Sequence, residues 1–151
     1  MPETPTFPLS GPWDWARTAA FLTTAVVPMR LAANAASGFP VVTPLWFCWE
    51  DGALWAAAQP DAKIVQHLGQ DGRCAFDISI ETPPYRGVRG RGHATIEADG
   101  FDRLKMLLAR YLGGASPQFQ SWLLARSANE CAIRIQPERM TSWDFGARME
   151  A

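Results

Sequence analysis

The sequence is poor in the residues that mark disulfide-bonded, metal-binding or nucleic-acid-binding proteins. Its 151 residues include three cysteines and two histidines, and no cysteines form a CxxC pair. Three cysteines cannot all pair, so we predict reduced core thiols at Cys48, Cys74 and Cys131 and no metal site. A formal net charge of −1 argues against nucleic-acid binding, because contact with phosphates needs a basic field.

Long hydrophobic runs are also missing. No apolar stretch approaches the roughly 20 residues that a membrane-spanning helix needs, and the N-terminus lacks the basic-then-apolar pattern of a secretory signal. We therefore expect a cytoplasmic protein. Prolines crowd the first dozen residues, which predicts a flexible segment over residues 1–12. The length of the chain fits one domain, which we place over residues 13–151.

The hydrophobic periodicity predicts a mainly β domain with a few helices. Strands are predicted at Arg30–Asn34, Val41–Trp49, Ala53–Ala58, Cys74–Ile80, Gly87–Ala98, Cys131–Ile135 and Arg139–Phe145. The first three are expected to form a meander. Helices are predicted over Asp14–Thr24, over Ala62–Leu68 with Asp61 as its N-cap and Gly69 as its end, over Phe101–Leu112, and after Ser116-Pro117. About seven short strands favour a closed or nearly closed antiparallel barrel, since closure removes exposed sheet edges.

Lys63 stands where a strand leads into a helix. The unpaired N–H groups at Ala62–Ile64 and the Lys63 ammonium could converge on a phosphate or a similar anion. A lysine at a helix start is, taken alone, more often a solvated charge. A second candidate for contact with a cofactor or anion is the group of Arg86, Arg89 and Arg91. These side chains could equally form a solvated sheet face or pair with carboxylates across a dimer interface.

Three segments together carry a resemblance to a known family. They read PVVTPLWFCWEDGALWAAAQPDAKIVQHLGQDGRCAFDI, PPYRGVRGRGHATIE and RIQPERMTSWDFG. In their order and content they resemble the pyridoxamine 5′-phosphate oxidase-like family of flavin-binding split barrels, over about Phe21 to Gly146. The resemblance implies a six- to seven-stranded antiparallel split β-barrel with flanking helices. It also implies a homodimer with the cofactor at the interface.

The resemblance also implies which residues hold the cofactor. The strand Pro44, Leu45, Trp46 and Phe47 would offer backbone groups to the flavin ring, and Ala57 and Ala58 would lie along the ribityl chain. Lys63 would meet the phosphate, Arg89 would reach the pyrimidine end of the ring, and Trp143 would form an aromatic wall from the partner subunit. Gln59 and Arg86 complete the expected cofactor-binding set, and no catalytic side chain is expected.

The implied function is that of an oxidoreductase-like protein that binds FMN and transfers hydride or electrons between the bound cofactor and a small unidentified substrate. Oxidase-type members carry Arg beside the phosphate-binding Lys and hydroxyl residues before it, where this chain has Ala62 and Ala56–Ala58. A deazaflavin coenzyme with a polyanionic tail is therefore the alternative cofactor. A non-enzymatic dimeric module that stores flavin or haem is the alternative function, with His67 and His93 as the available axial ligands.

Overall fold

The computed structural model describes residues 4–150, which fold into one eight-stranded sheet and five helices. The strands are β1 (Leu9–Ser10), β2 (Met29–Asn34), β3 (Pro40–Leu45), β4 (Cys48–Glu50), β5 (Ala53–Ala58), β6 (Arg73–Ser79), β7 (Arg86–Glu97) and β8 (Cys131–Asp144). The helices are α1 (Trp15–Thr24), α2 (Lys63–Gln70), α3 (Gly100–Tyr111), α4 (Pro117–Ala125) and α5 (Gly146–Met149).

The strands follow the order β3-β2-β6-β7-β8-β5-β4, and β1 adds to β8 in parallel. All the other pairings are antiparallel. Strands β3 and β4 stand at opposite ends of this order, yet only Trp46 and Phe47 separate them in the chain. The sheet must therefore curl until its two ends meet. The predicted class, an antiparallel split β-barrel with flanking helices, is confirmed.

We call the unpaired junction between β3 on one side and β4–β5 on the other the seam. The sequence predicts one strand over Val41–Trp49 and a three-stranded meander, and both predictions are wrong. The chain leaves β3 after Leu45, buries Phe47 completely in the core, and starts β4 at Cys48. Burial of the Phe47 ring inside the barrel interrupts the strand and divides the predicted meander into two separate hairpins.

The end of the chain forms one long strand where the sequence predicts two. In β8, Pro137 pairs with Gly92 and Arg139 pairs with Arg91, so that Glu138 is an extra residue in the ladder. A bulge of this kind accommodates proline, which cannot donate a ladder hydrogen bond. Proline therefore bends the strand without ending it.

Helix α2 also differs from its prediction at both ends. The N-cap is Ala62 and makes no side-chain capping bond, so Asp61 is not the cap. The helix continues through Gly69 to Gln70, with Asp71 as its C-cap. Its buried side is formed by Ile64, Val65 and Leu68, as the sequence predicts.

The predicted flexible segment 1–12 needs correction over its described part. Phe7 is buried in the core, and Leu9–Ser10 pair with Met140 and Thr141 of β8. Apolar side chains at Phe7 and Leu9 attach this segment to the barrel in spite of its prolines. The first three residues, like residue 151, lie outside the described part of the chain.

The hydrophobic residues form two clusters separated by β5. Leu54 and Ala56 point into the barrel, whereas Ala53 and Trp55 lie on the opposite face with Leu107 of α3. This alternation follows from the period of two in a strand. Helix α3 therefore packs on the outside of the barrel next to the seam. Within residues 4–150, no helix is long and apolar enough to cross a membrane.

Candidate functional site

A cavity of about 420 Å³ opens at the seam, and we call it the seam groove. One wall comes from the end of β3, another from β5, and helices α3 and α4 cover the side away from the barrel. Its lining consists of Pro28, Pro44, Leu45, Trp46, Ala57, Leu104, Leu107, Leu123 and Glu130. Eight of these nine residues are apolar, so the groove suits a flat apolar molecule that displaces water.

Four of the residues predicted from the resemblance line this groove, namely Pro44, Leu45, Trp46 and Ala57. The Trp46 ring stacks on the Tyr111 ring, with centroids 5.1 Å apart and planes 11° from parallel. The Tyr111 hydroxyl donates to the Val27 carbonyl at 2.8 Å and accepts from the Phe47 N–H at 3.1 Å. These bonds fix the Trp46 side of the groove before any ligand arrives.

Phe47 and Ala58 lie away from the groove lining. The Phe47 ring is fully buried and its N–H is already bonded to Tyr111, so this N–H is not free for a ligand. Ala58 is half-buried against the main core and pairs with Cys131 of β8. Strand alternation explains the placement of Ala58, because its neighbour Ala57 takes the groove-facing position.

Glu130 is a buried carboxyl group that the sequence analysis missed. Its side chain lines the groove, and the Gln59 Nε2 donates to its Oε2 at 2.7 Å. Burial raises the pKa of Glu130, and the nearby Ser127 hydroxyl offsets part of the rise. Gln59 was predicted as a cofactor contact, and the structure places it as the hydrogen-bond partner of this acid. The sequence signal for Glu130 is weak: it is a single acidic residue directly before an apolar strand.

Lys63 lies at the first position of α2, after the loop that leaves β5. Its side chain is exposed and has no hydrogen bond or ion pair within residues 4–150. No acidic residue stands in the first turn of α2, and Ala62 offers no side-chain cap. The N–H groups of the first helical turn therefore remain unpaired beside a free ammonium group, which is the arrangement that binds anions. The lining of the seam groove does not include Lys63.

The remaining predicted residues lie on β7 and β8. Arg86 is half-buried, lies opposite Asp144 in the β7–β8 ladder and makes a long contact of 3.5 Å to the Pro84 carbonyl. The half-buried Trp143 ring packs against the Phe145 ring at 5.4 Å. Neither residue lines the seam groove. Within one chain, the structure does not bring them together with Pro44–Trp46.

Arg89 belongs to a second concave surface of about 450 Å³ on the outside of the sheet. We call it the arginine face, and its arginines are Arg30, Arg89, Arg91 and Arg139. Arg30 pairs with Glu81 and Arg91 pairs with Glu138, but Arg89 and Arg139 have no ion pair among residues 4–150. The alternation that predicts one small apolar side and one basic side for β7 is confirmed.

The cysteines are all free, with Cys48 and Cys74 buried and Cys131 half-buried. Burial raises the pKa of Cys48, and it raises the pKa of Cys74 to about 11. These two thiols are poor nucleophiles at neutral pH. His67 is half-buried on α2, whereas His93 is exposed on β7 and lies 3.9 Å from a Glu138 oxygen. Residues 4–150 contain no group of three or more potential metal ligands.

Comparison with known proteins agrees with this architecture. The sequence model of a family described as pyridoxamine 5′-phosphate oxidase matches residues 16–144. No curated protein sequence matches the chain. The solved structures described next are less than 25% identical to this chain, so they bear on the fold.

Three solved structures illustrate the likeness. A conserved hypothetical protein from Mycobacterium tuberculosis is 24% identical, with a TM-score of 0.71 over 87% of this chain and 85% of that one. An F420 reductase is 21% identical, with a TM-score of 0.63 over 79% of this chain and 92% of that one. An FAD-binding protein from Mesorhizobium loti is 22% identical, with a TM-score of 0.62 over 86% of this chain and 93% of that one.

Proposed function

The chain belongs to the pyridoxamine 5′-phosphate oxidase family, and on that premise we propose that it binds a flavin-type cofactor in the seam groove. We further propose that it is an oxidoreductase, in which hydride or electrons pass between the cofactor and a small substrate. FMN is the proposed cofactor, with a deazaflavin coenzyme as the alternative. Two structural neighbours, the F420 reductase and the FAD-binding protein, carry names that support this class of ligand.

The observation that carries the proposal is the apolar lining and the size of the seam groove, which we propose accommodates a flavin ring. The groove is apolar, has a volume of about 420 Å³, and is bounded by the fixed Trp46–Tyr111 stack. Burial of a ring here removes apolar surface from water on both partners. Backbone groups near Leu45 and Trp46 would meet the ring edge, as the family resemblance implies.

The phosphate arm of the cofactor would extend to the start of α2. Ala57 is in the groove wall, and the same strand leads through Gln59 to the uncapped first turn that carries Lys63. An anion there would gain unpaired N–H donors, the helix dipole and one ammonium group. The alanines at Ala56–Ala58 and Ala62 supply no hydroxyl or guanidinium donors, so we expect Lys63 to dominate the contact.

When bound, the cofactor supplies the redox chemistry, and the protein contributes orientation and exclusion of water. Within residues 4–150, Glu130 is the only ionisable side chain in the groove lining. Trp46 and Leu107 exclude water from the groove, and Lys63 anchors the phosphate. We assign no catalytic side chain.

We also propose that the protein is a homodimer. Arg86, Arg89 and Trp143 lie apart from the groove within one chain, and a second subunit could bring its copies to the cofactor. The unpaired guanidinium of Arg89 on a concave surface supports an intermolecular contact. The same arrangement would let the arginines meet an anionic cofactor tail.

Absorption and fluorescence titrations of the purified protein with FMN and with a deazaflavin coenzyme test the cofactor proposal. We expect saturable binding of at least one of them, with a perturbed ring spectrum. Lys63→Ala should weaken binding by about tenfold to a hundredfold, the value of one charge-assisted contact. Lys105→Ala is the matched control and should leave affinity unchanged, because Lys105 pairs with Asp102 on α3.

The outcomes separate the alternatives. Failure of both cofactors to bind would refute the proposal. Tight binding without reduction of the cofactor by hydride donors such as NADPH, or without its reoxidation by small acceptors, would assign the protein as a flavin-storage module. A haem absorption band after addition of haem, lost in His67→Ala or His93→Ala, would assign the haem-binding alternative.

A further inference from the structure

Glu130 is a buried acid without a basic partner among residues 4–150, and the proposed function leaves it unexplained. The residue is 6% exposed, and its polar partners are the Gln59 amide and the nearby Ser127 hydroxyl. The Ser127 hydroxyl proton is already donated to the Leu123 carbonyl at 2.7 Å. No Lys, Arg or His within residues 4–150 forms an ion pair with Glu130.

Such a group is costly to the fold. A buried carboxyl group that has no cation beside it destabilises the protein relative to an apolar residue of similar size. An apolar side chain at this position would continue the lining formed by Leu104, Leu107 and Leu123. The acid at position 130 therefore points to a role that is completed by something in the groove.

The backbone holds Glu130 in place. Its N–H donates to the Ser127 carbonyl at 3.0 Å in the turn after α4. On the other side, the first residue of α3 packs tightly: a Cβ on Gly100 would lie 2.4 Å from the Glu130 carbonyl carbon. Glycine is needed for this close approach. These contacts hold the backbone of Glu130, and the Gln59 bond holds Oε2 of its carboxyl group at the groove wall.

We propose that the seam groove takes a planar, apolar substrate with a cationic N–H donor group, such as an amidinium or a protonated amine, and that Glu130 accepts its hydrogen bond. The inference rests on the proposed function, because it names the substrate class of the same groove. The cofactor ring lies against the β3 wall, and the substrate lies against the wall formed by Leu123 and Glu130. A cation there compensates the buried charge, and a planar apolar body fills the remaining volume.

Three small probes of equal size and different charge test this assignment: benzamidine, benzamide and benzoate. Their binding to the full-length protein is followed by chemical-shift changes of the tryptophan indole N–H signals, with Trp46 assigned by its Trp46→Phe variant. We expect benzamidine to bind about tenfold or more tightly than benzamide, and benzoate to show no saturable binding. Equal affinities for the three probes would overturn the inference.

Two variants locate the effect. Glu130→Gln keeps the shape and should abolish the preference for benzamidine over benzamide. Glu138→Gln removes an exposed acid that pairs with Arg91, away from the groove, and should preserve this preference. If Glu130→Gln proves unfolded by circular dichroism, the ranking of the three probes on the unaltered protein still decides the question. An unchanged preference in folded Glu130→Gln protein would contradict the role of Glu130.

The cofactor titrations keep this test separate from the proposed function. Titration of the unaltered protein with FMN and the deazaflavin coenzyme tests the proposed function, whereas the ranking of the three probes tests the inference. If the protein binds a cofactor but Glu130→Gln does not change the preference for benzamidine, the inference is refuted and the proposed function stands. A Glu130-dependent preference in a protein that binds neither cofactor would leave the ligand class standing and refute the redox assignment.

Discussion

The seam groove and the arginine face are similar in size and differ in the charged side chains that border them. The groove, at about 420 Å³, is apolar and contains one buried acid, whereas the face, at about 450 Å³, is edged by four arginines. Contacts within the chain fix the groove: Tyr111 bonds to Val27 and Phe47, and Gln59 bonds to Glu130. On the face, Arg89 and Arg139 have no ion pair among residues 4–150.

Under the proposed dimer, the groove is organised within one chain and the arginine face is available to a second subunit. A surface whose polar groups are already bonded is organised before binding, and so loses little entropy when a ligand arrives. A surface with free guanidinium groups gains its order only on contact with an anion or another subunit. We therefore expect substitutions in the groove to change stability and ligand affinity, and those on the face to change association.

The largest expected effect is the loss of stability when a groove residue is truncated. Leu107 is 2% exposed between α3 and β5, so Leu107→Ala should lower the free energy of unfolding by about 2–5 kcal/mol. Arg139→Ala on the exposed face should change it by no more than about 0.5 kcal/mol. Urea denaturation curves measure both. Similar losses of stability in the two variants would contradict the distinction between the seam groove and the arginine face.

The next effect concerns association. Arg89→Glu reverses one unpaired charge on the arginine face, and if that face contacts a second subunit the dimer should dissociate about tenfold more readily. Analytical ultracentrifugation over a concentration series measures the change. Lys105→Glu, on the outer surface of α3, is the control and should leave the association constant unaltered. An Arg89→Glu protein that associates like the unaltered chain would remove the face from the interface.

A third effect is a pH dependence that arises at the sheet behind the arginine face. Burial raises the pKa of Cys74 from 9.0 to about 11, so the fold binds this proton more tightly than the unfolded chain does. The resulting stabilisation is present below about pH 9 and is lost as the pH rises towards 11. Cys74→Ala should therefore show a shallower alkaline loss of stability than the unaltered protein. Thermal melts from pH 8 to 11 compare the two proteins, and parallel curves would refute the assignment.

Much of the fold follows from local patterns in the sequence. The alternation of small and basic residues along β7 is visible because a strand places neighbours on opposite faces. Helix α3 is equally clear from its apolar positions at Leu104, Leu107 and Leu108. In both elements the burial pattern is determined by the residues of the element itself.

The features that local patterns miss depend on distant contacts. The break after Leu45 depends on the burial of Phe47 in a core assembled from the whole barrel, and the continuity of β8 past Pro137 depends on its pairing with Gly92. Glu130 was missed because it follows an exposed turn, and its burial comes from α3 and Gln59. Sequence reasoning found four residues of the groove lining through family resemblance, but it did not find the acid.

The two-residue link between β3 and β4 sets where the groove can open. Trp46 and Phe47 tie the two ends of the sheet together, and Phe47 cannot move without exposing core. The groove is thus tethered at this end. At the other end stands α4, which contains no buried residue and carries Phe119 and Trp122 on its exposed side. We therefore expect a molecule to enter and leave the groove beneath α4, past Glu130, and not at the end that Trp46 and Phe47 close.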